Sequence, residues 1–231
     1  MITLGIELSS RQGSVALLKD GVLLAEKTWL GERVRHNILF QTLETLLNEA
    51  GVSYRDISLY AVGRGPGSFS GMRMAFAVAQ ALALPDKTEV RAVSSGAALV
   101  LAAAREGAKQ IAVVGDARRG QVWYGLFSVA APGGRGSGSP PPATVEQIED
   151  WKLVPYEELV VPAGALVVSP EAERLIQYFP ASLACASKRL ANIGNSHFPL
   201  ASDVARLALT QSEPLEPLYM HPPVFIEPKY S

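Results

Sequence analysis

The sequence predicts an α/β protein of two related lobes, and three observations carry that expectation. A run of three short strands joined by tight turns leads into a helix near the N-terminus. A comparable strand–turn–strand unit begins again near residue 110. Between them a glycine-rich stretch, Gly63-Arg64-Gly65-Pro66-Gly67-Ser68-Phe69-Ser70-Gly71-Met72-Arg73, joins a strand to a second helix. At 231 residues the chain has length for one large domain or two small ones, either able to bury an adequate core.

Thr3 to Leu8, Ser14 to Lys19 and Val22 to Trp29 read as strands. Asp20-Gly21 is a favoured hairpin pair between the second and third. A helix follows from Arg35 to Ala50, stopped by Gly51. Leu39, Leu43, Leu46 and Ala50 recur at the three-four spacing of one buried face, which Ile38, Phe40 and Leu47 broaden. Ile57 to Val62 is the next strand, and the second helix runs from Gly71 to about Leu84. Between Met72 and Leu84 only Arg73 and Gln80 are polar. A helix apolar all round must be covered on more than one side. Two readings stay open: a central core helix, or a helix with one side on the sheet and another on a partner protein. Glu89 to Val93 is a short strand, and Ser94 or Ser95 caps a helix reaching Glu106.

The second unit reads as strands over Gln110 to Gly115 and Gln121 to Val129, joined by the turn Asp116-Ala117-Arg118-Arg119-Gly120. A low-complexity loop at 130–143 follows. Thr144 to Val154 resumes the strands, with a helical turn at Tyr156 to Leu159 and a strand at Ala165 to Ser169. Ser169-Pro170 is a helix start, Leu183 to Ala186 a short strand, and Ser202 to Gln211 a last helix before a proline-rich tail. A boundary near Glu106 to Gln110 separates an N-terminal lobe, 1–107, from a smaller C-terminal lobe, 108–231.

Forty-eight per cent hydrophobic and nineteen per cent charged residues describe a globular chain, and the net charge of −1 excludes a global basic field for nucleic acid. The arginines are scattered, so any RNA contact is local or shared with a partner. One cysteine, Cys185, excludes an internal disulfide and fits a reducing compartment. There is no basic leader with an apolar core, and no apolar run approaches eighteen residues. The chain reads as cytoplasmic, without a membrane segment.

His36, His197 and His221 are far apart and lack second ligands at metal spacing. No G-x-S-x-G elbow supports a catalytic triad. Glu7, Ser9 and Ser10 end the first strand, and Asp116 stands in the corresponding place of the second unit. Paired turns with acids could hold a nucleotide and its hydrated metal between lobes; equally, the acids could organise their own turns. The glycine stretch lacks the Lys-Ser/Thr of a P-loop and the spacing of a dinucleotide fingerprint. It is either an anion cradle at a helix N-terminus or a tight bend.

These residues carry a resemblance. Gly63 to Arg73 resembles the G-R-G-P-G-S-F-T-G-x-R signature of the TsaB (YeaZ) family, with Ser70 for Thr. Asp116-Ala117-Arg118 with Gly120, Val122 and Tyr124 is similar to its D-A-R-x-G-x-V-Y segment, His36 to its helix-opening histidine, and Glu216-Pro217-Leu218-Tyr219 to its P-x-Y ending. The resemblance implies an ASKHA (actin-like, Hsp70-like ATPase) fold. It implies a non-catalytic partner of TsaD, the enzyme that attaches threonylcarbamoyl to the adenosine beside the anticodon of certain tRNAs. ATP and a metal would be used by the complex through that partner, with no cofactor in this chain. A TsaE-like ATPase and tRNA would join through the complex, and a homodimer would form in isolation.

The implied docking positions are His36, Leu39, Leu43, Leu46, Met72, Ala75, Phe76 and Ala79, supported by Gly63, Gly65, Pro66, Gly67, Ser68, Phe69, Ser70, Gly71 and Arg73. Charges at Ala75 or Ala79 are expected to abolish partner binding in a folded chain; failure to fold points to a core helix instead. Two departures stand out. Glu7-Leu8-Ser9 replaces the family's Asp-Thr-Ser or Asp-Thr-Ala, and Met220-His221 follows Leu218-Tyr219 where an arginine is usual. The alternatives are an ASKHA-type ATPase or small-molecule kinase using Glu7 and Asp116, and a metallopeptidase.

Overall fold

The computed structural model describes residues 1–31, 38–105, 107–130, 144–178 and 197–222. The chain opens with the antiparallel meander β1 (Ile2–Glu7), β2 (Gln12–Lys19) and β3 (Val22–Leu30). Helix α1 (Ile38–Ala50) leads through a 3-10 turn to β4 (Ile57–Gly63), α2 (Phe69–Ala83), β5 (Glu89–Val93) and α3 (Ser95–Ala104). The first sheet has the order β3-β2-β1-β4-β5. Its meander half is antiparallel, while β1, β4 and β5 run parallel, as expected where helices connect successive strands.

A second sheet repeats the plan. It comprises β6 (Gln110–Arg118), β7 (Gln121–Ala130), β8 (Thr144–Pro155) and β9 (Leu166–Val168), in the order β8-β7-β6-β9. Again a meander is antiparallel and the strand after the excursion, β9, pairs parallel with the first. Helix α4 (Ala172–Ile176) follows β9, and α5 (Ala201–Ala208) is the last helix. Two copies of a meander extended by parallel strands make two related units, the plan that the resemblance to an ASKHA fold implies.

Three clusters of buried side chains organise the layers. Leu4, Ile6, Val15, Leu17, Tyr60 and Val62 point from one face of the first sheet toward α1 and α2. The opposite face, with Ala16, Leu18, Leu59 and Ala61, meets α5 and a core that continues through α3 to Ile111, Val113, Trp123 and Phe127 of the second sheet. Ala112, Val114, Tyr124 and Leu126 turn the other way, toward α4. Alternation along each strand makes this possible, since successive side chains face opposite sides.

Chain order does not confine residues 108–231 to the second lobe. Helix α5 packs on β1, β2 and β4. Its N-terminus is held there by Ser14 Oγ, which accepts the Ala201 N–H at 2.9 Å, and by Glu26, which accepts the Ser202 N–H at 2.9 Å. An acid at a helix N-terminus is favoured by the helix dipole. Cys185, the strand expected at Leu183 to Ala186, the loop at 130–143 apart from Ala130, and the first residues of the helix expected from Arg35, with His36, lie outside the described residues. Several boundaries moved inside them, three of them near the site. Helix α2 starts at Phe69 with Ser68 as N-cap, two residues before Gly71. Strand β6 continues to Arg118, so the turn occupies 118–120, where all three residues have positive φ. Ser169 Oγ accepts the Glu171 N–H at 2.9 Å, but α4 begins only at Ala172.

Candidate functional site

Two features lie side by side: the outer face of α2 and the cleft between the lobes. The glycine stretch positions both. Its residues 63–66 are buried, and its backbone presses against the β1–β2 turn, where Ser68 N–H donates to the Ser9 carbonyl at 2.6 Å. A Cβ at Gly71 would collide with the Leu8 carbonyl, and one at Gly63 with the Glu7 carboxylate. Glycine is required where two backbones approach this closely. Ser68 Oγ accepts the Gly71 N–H at 3.2 Å, so the helix supplies its own cap. The stretch is therefore a bend packed on its neighbour.

Helix α2 has two distinct sides. Ala75, Phe76, Val78 and Ala79 are buried against the sheet with Leu39, Leu43 and Leu46 of α1, and Met72 is buried beneath Gly65. Ser70, Arg73, Met74, Ala77, Gln80, Ala81 and Leu84 are exposed. Phe69, Met74 and Leu84 are 57%, 48% and 76% exposed, and Phe40 on α1 is 49% exposed. On α2 these apolar groups stand beside the cation Arg73, which lies over the Phe69 ring at 5.3 Å.

The cleft, about 1160 Å³, is lined by the β1–β2 turn (Ser9, Ser10, Arg11), by Gly67 to Phe69, by Asp116 to Arg118, by Glu171 and Arg174, and by the tail from Leu218 to Pro222. Asp116 is buried in its wall. Its Oδ1 accepts the Arg118 N–H at 2.8 Å and the Tyr156 hydroxyl at 3.1 Å. Its Oδ2 faces Arg118 Nη1 at 3.0 Å and Arg174 Nε at 3.2 Å. Burial and the hydrogen bond to Asp116 push the Tyr156 phenol up to about 12. Glu171, whose Oε2 accepts the Asp116 N–H at 2.7 Å, is raised by burial. Glu7 lies away from the cleft and fully buried. It accepts from Ser9 N–H at 2.5 Å and from Ser95 Oγ at 2.6 Å, and loss of water raises its carboxyl. Neither acid presents a free carboxylate to the cleft, so they do not fit a hydrated metal–phosphate group. Among the described residues, no three His, Cys, Asp or Glu side chains gather at metal-ligand spacing, and no helix is long and apolar enough to cross a membrane.

The family profile described as "TsaD: tRNA N6-adenosine threonylcarbamoyltransferase" matches residues 32–132. The chain is 34% identical over 128 residues to the tRNA threonylcarbamoyladenosine biosynthesis protein TsaB of Escherichia coli, covering 55% of each chain. It is 34% identical over 129 residues to TsaB of Bacillus subtilis, again over 55% of each. The chain spans about half the length of these curated relatives, 55%. The solved structure of YeaZ from Pseudomonas aeruginosa superposes with a TM-score of 0.72 at 28% identity, covering 94% of this chain and 99% of that one.

The chain is similar to the TsaB (YeaZ) proteins in sequence over about half its length and in fold over nearly all of it.

The structure departs from several expectations of the sequence. Leu39, Leu43, Leu46, Met72, Ala75, Phe76 and Ala79 do not form a free docking surface: all seven are 5% exposed or less. The three-four spacing marked the face that enters the chain's own core. What it missed is the opposite set on α2, Met74, Ala77, Ala81 and Leu84, which the same period locates half a turn away. Glu7 is turned into the core and is corrected from a cleft residue to a buried one, whereas Ser9, Ser10 and Asp116 do line the cleft. Sequence reasoning also missed two cleft partners of Asp116, Arg174 and Tyr156, which are distant in sequence and join only through the sheet.

Proposed function

We propose that this chain is a non-catalytic subunit of the complex that attaches threonylcarbamoyl to the adenosine beside the tRNA anticodon. It binds and activates a TsaD-type enzyme. One observation carries the reading: the outer face of α2 exposes uncovered apolar side chains among its polar ones, and it stands beside a cleft whose acids are already engaged. The naming of its relatives as tRNA threonylcarbamoyladenosine biosynthesis proteins supports the pathway. In this reading the enzyme docks on α2 through Met74, Ala77, Ala81 and Leu84, with Phe40 of α1 at the margin. ATP and a metal act in the partner, a TsaE-like ATPase and tRNA join through the complex, and the isolated chain pairs with itself by the same face in the cytoplasm.

Reconstitution tests this. With the TsaD-type enzyme, a TsaE-type ATPase, a threonylcarbamoyl donor and tRNA, modified adenosine is expected to form only when this chain is present. Equal product without it would overturn the proposal. A kinase or ATPase acting alone instead predicts that the isolated chain binds Mg-ATP, which calorimetry detects directly.

A further inference from the structure

The glycine stretch and the proline-rich tail, separated by some 150 positions, meet as parts of one device. Arg64 is buried, and its guanidinium reaches the tail twice: Nε donates to the Glu216 carbonyl at 3.0 Å, and Nη1 donates to Glu213 Oε2 at 3.2 Å. The Arg64 carbonyl accepts the Leu218 N–H at 2.7 Å. Glu213 is fixed in turn, since its N–H donates to the Ala92 carbonyl at 2.8 Å and its Oε1 accepts the Ser94 N–H at 2.8 Å. Beyond this clamp Tyr219 lies on Phe69, the first residue of α2, with ring centroids 4.8 Å apart. His221 then crosses to the second lobe, where Nε2 donates to the Ala117 carbonyl at 2.7 Å.

A buried guanidinium that donates to two separate acceptors is a strong and directional fastening. Here it holds no reacting group. It holds a half-exposed aromatic side chain, Tyr219 at 43%, against Phe69 at 57%. Pro214 and Pro217 restrict the strap further, and a segment ordered beforehand loses little entropy when a partner meets it. The Phe69–Tyr219 pair, flanked by Arg73, is continuous with the outer face of α2. Aromatic and arginine side chains in that setting are the usual anchors of a protein interface.

We infer that the strap from Glu213 to Tyr219 is a second element of the docking surface for the TsaD-type enzyme, and that Arg64 is the positioning residue that holds it there. This rests on the reading of the α2 outer face as the docking site. Tyr219 supplies the contact; Arg64 touches no partner and acts through the strap.

The test measures affinity of the full chain for the purified TsaD-type subunit, with melting temperature recorded for each variant. Tyr219→Ala is expected to weaken binding about tenfold or more, the loss typical of an aromatic anchor. Tyr219→Phe, which keeps the ring, binds as wild type. Arg64→Lys keeps the charge but not the fork, and is expected to weaken binding with Tyr219 intact. If Arg64→Lys does not fold, Glu213→Gln serves in its place, loosening the same clamp. Wild-type affinity for Tyr219→Ala would overturn the inference, as would a fall in melting temperature with affinity unchanged. Ala77→Glu is run alongside. If it leaves binding intact, the docking face itself is wrong; if it abolishes binding while Tyr219→Ala does not, only the strap inference falls.

Discussion

A carboxyl group stripped of water holds its proton more tightly, and Glu7 is in that position at the end of β1. Its folded-state pKa lies above the ordinary 4.5, by burial that outweighs the hydrogen bonds from Ser9 and Ser95. The native state therefore binds more protons than the unfolded state between the two values. The stabilisation from this group is fully present below about 4.5 and is lost as pH rises through the folded value. Glu171 contributes with the same sign, so the informative quantity is a difference. Glu7→Gln is expected to melt with wild type near pH 4 and above it near pH 8; parallel melting curves across that range would refute the assignment. Gly71 illustrates a second residue-scale constraint. A methyl group there meets the Leu8 carbonyl, which belongs to a strand end that cannot retreat freely. Gly71→Ala should cost about 1–3 kcal/mol, measured by urea unfolding, with no comparable loss for Gly120→Asn, whose Cβ has nothing within 4 Å and whose residue type tolerates positive φ.

At the scale of elements, α2 separates the two readings that its composition leaves open. Ala75 and Ala77 are two residues apart on the same helix, yet one is fully buried and the other exposed. Ala75→Glu places an unpaired charge in the core under α1, which costs several kcal/mol and is expected to leave little folded protein. Ala77→Glu is expected to fold with the wild-type melting temperature and to lose the TsaD-type partner in a pull-down. Unfolding of both, or partner binding by both, would contradict this division of faces. The helix itself was legible, because its glycine-rich entry and its apolar run are local signals, although its capping residue Ser68 was not read as such. Which face was free was not legible. A helix apolar on all sides gives no periodic contrast, and only the sheet beneath it chooses the buried stripe. The opposite holds for α1, where Glu44, Glu49 and Gln41 mark the outer side and the buried leucines were read correctly as a face, though not as the chain's own core.

At the scale of the molecule, the two lobes share one core. The cluster around α3 runs from Leu59 and Ala61 of the first sheet to Ile111 and Phe127 of the second. Trp151 of β8 lies against Gly96 of α3 and Gly125 of β7, where a Cβ on either glycine would strike its ring. Helix α5 returns the chain to the first sheet and the strap crosses back to Ala117. Lobes joined this way should unfold together. Chemical denaturation followed by far-UV circular dichroism is expected to coincide with fluorescence of Trp123 and Trp151 in a Trp29→Phe variant. Two separated transitions would show that the lobes are independent.

Local chemistry in the sequence was sufficient for the meander turns, the strand-to-helix bend, the cap of α3 and the repetition of one plan in two units. Each depends on residues within a few positions of one another. The inward turn of Glu7, the neutralisation of Asp116 by Arg118 and Arg174, the seating of α5 on the first sheet and the clamp of Arg64 on the tail depend on groups up to 187 positions apart. Such contacts leave no periodicity to read. They exist only once two sheets and the helices between them have closed, because burial, and not spacing, decides which polar groups must find one another.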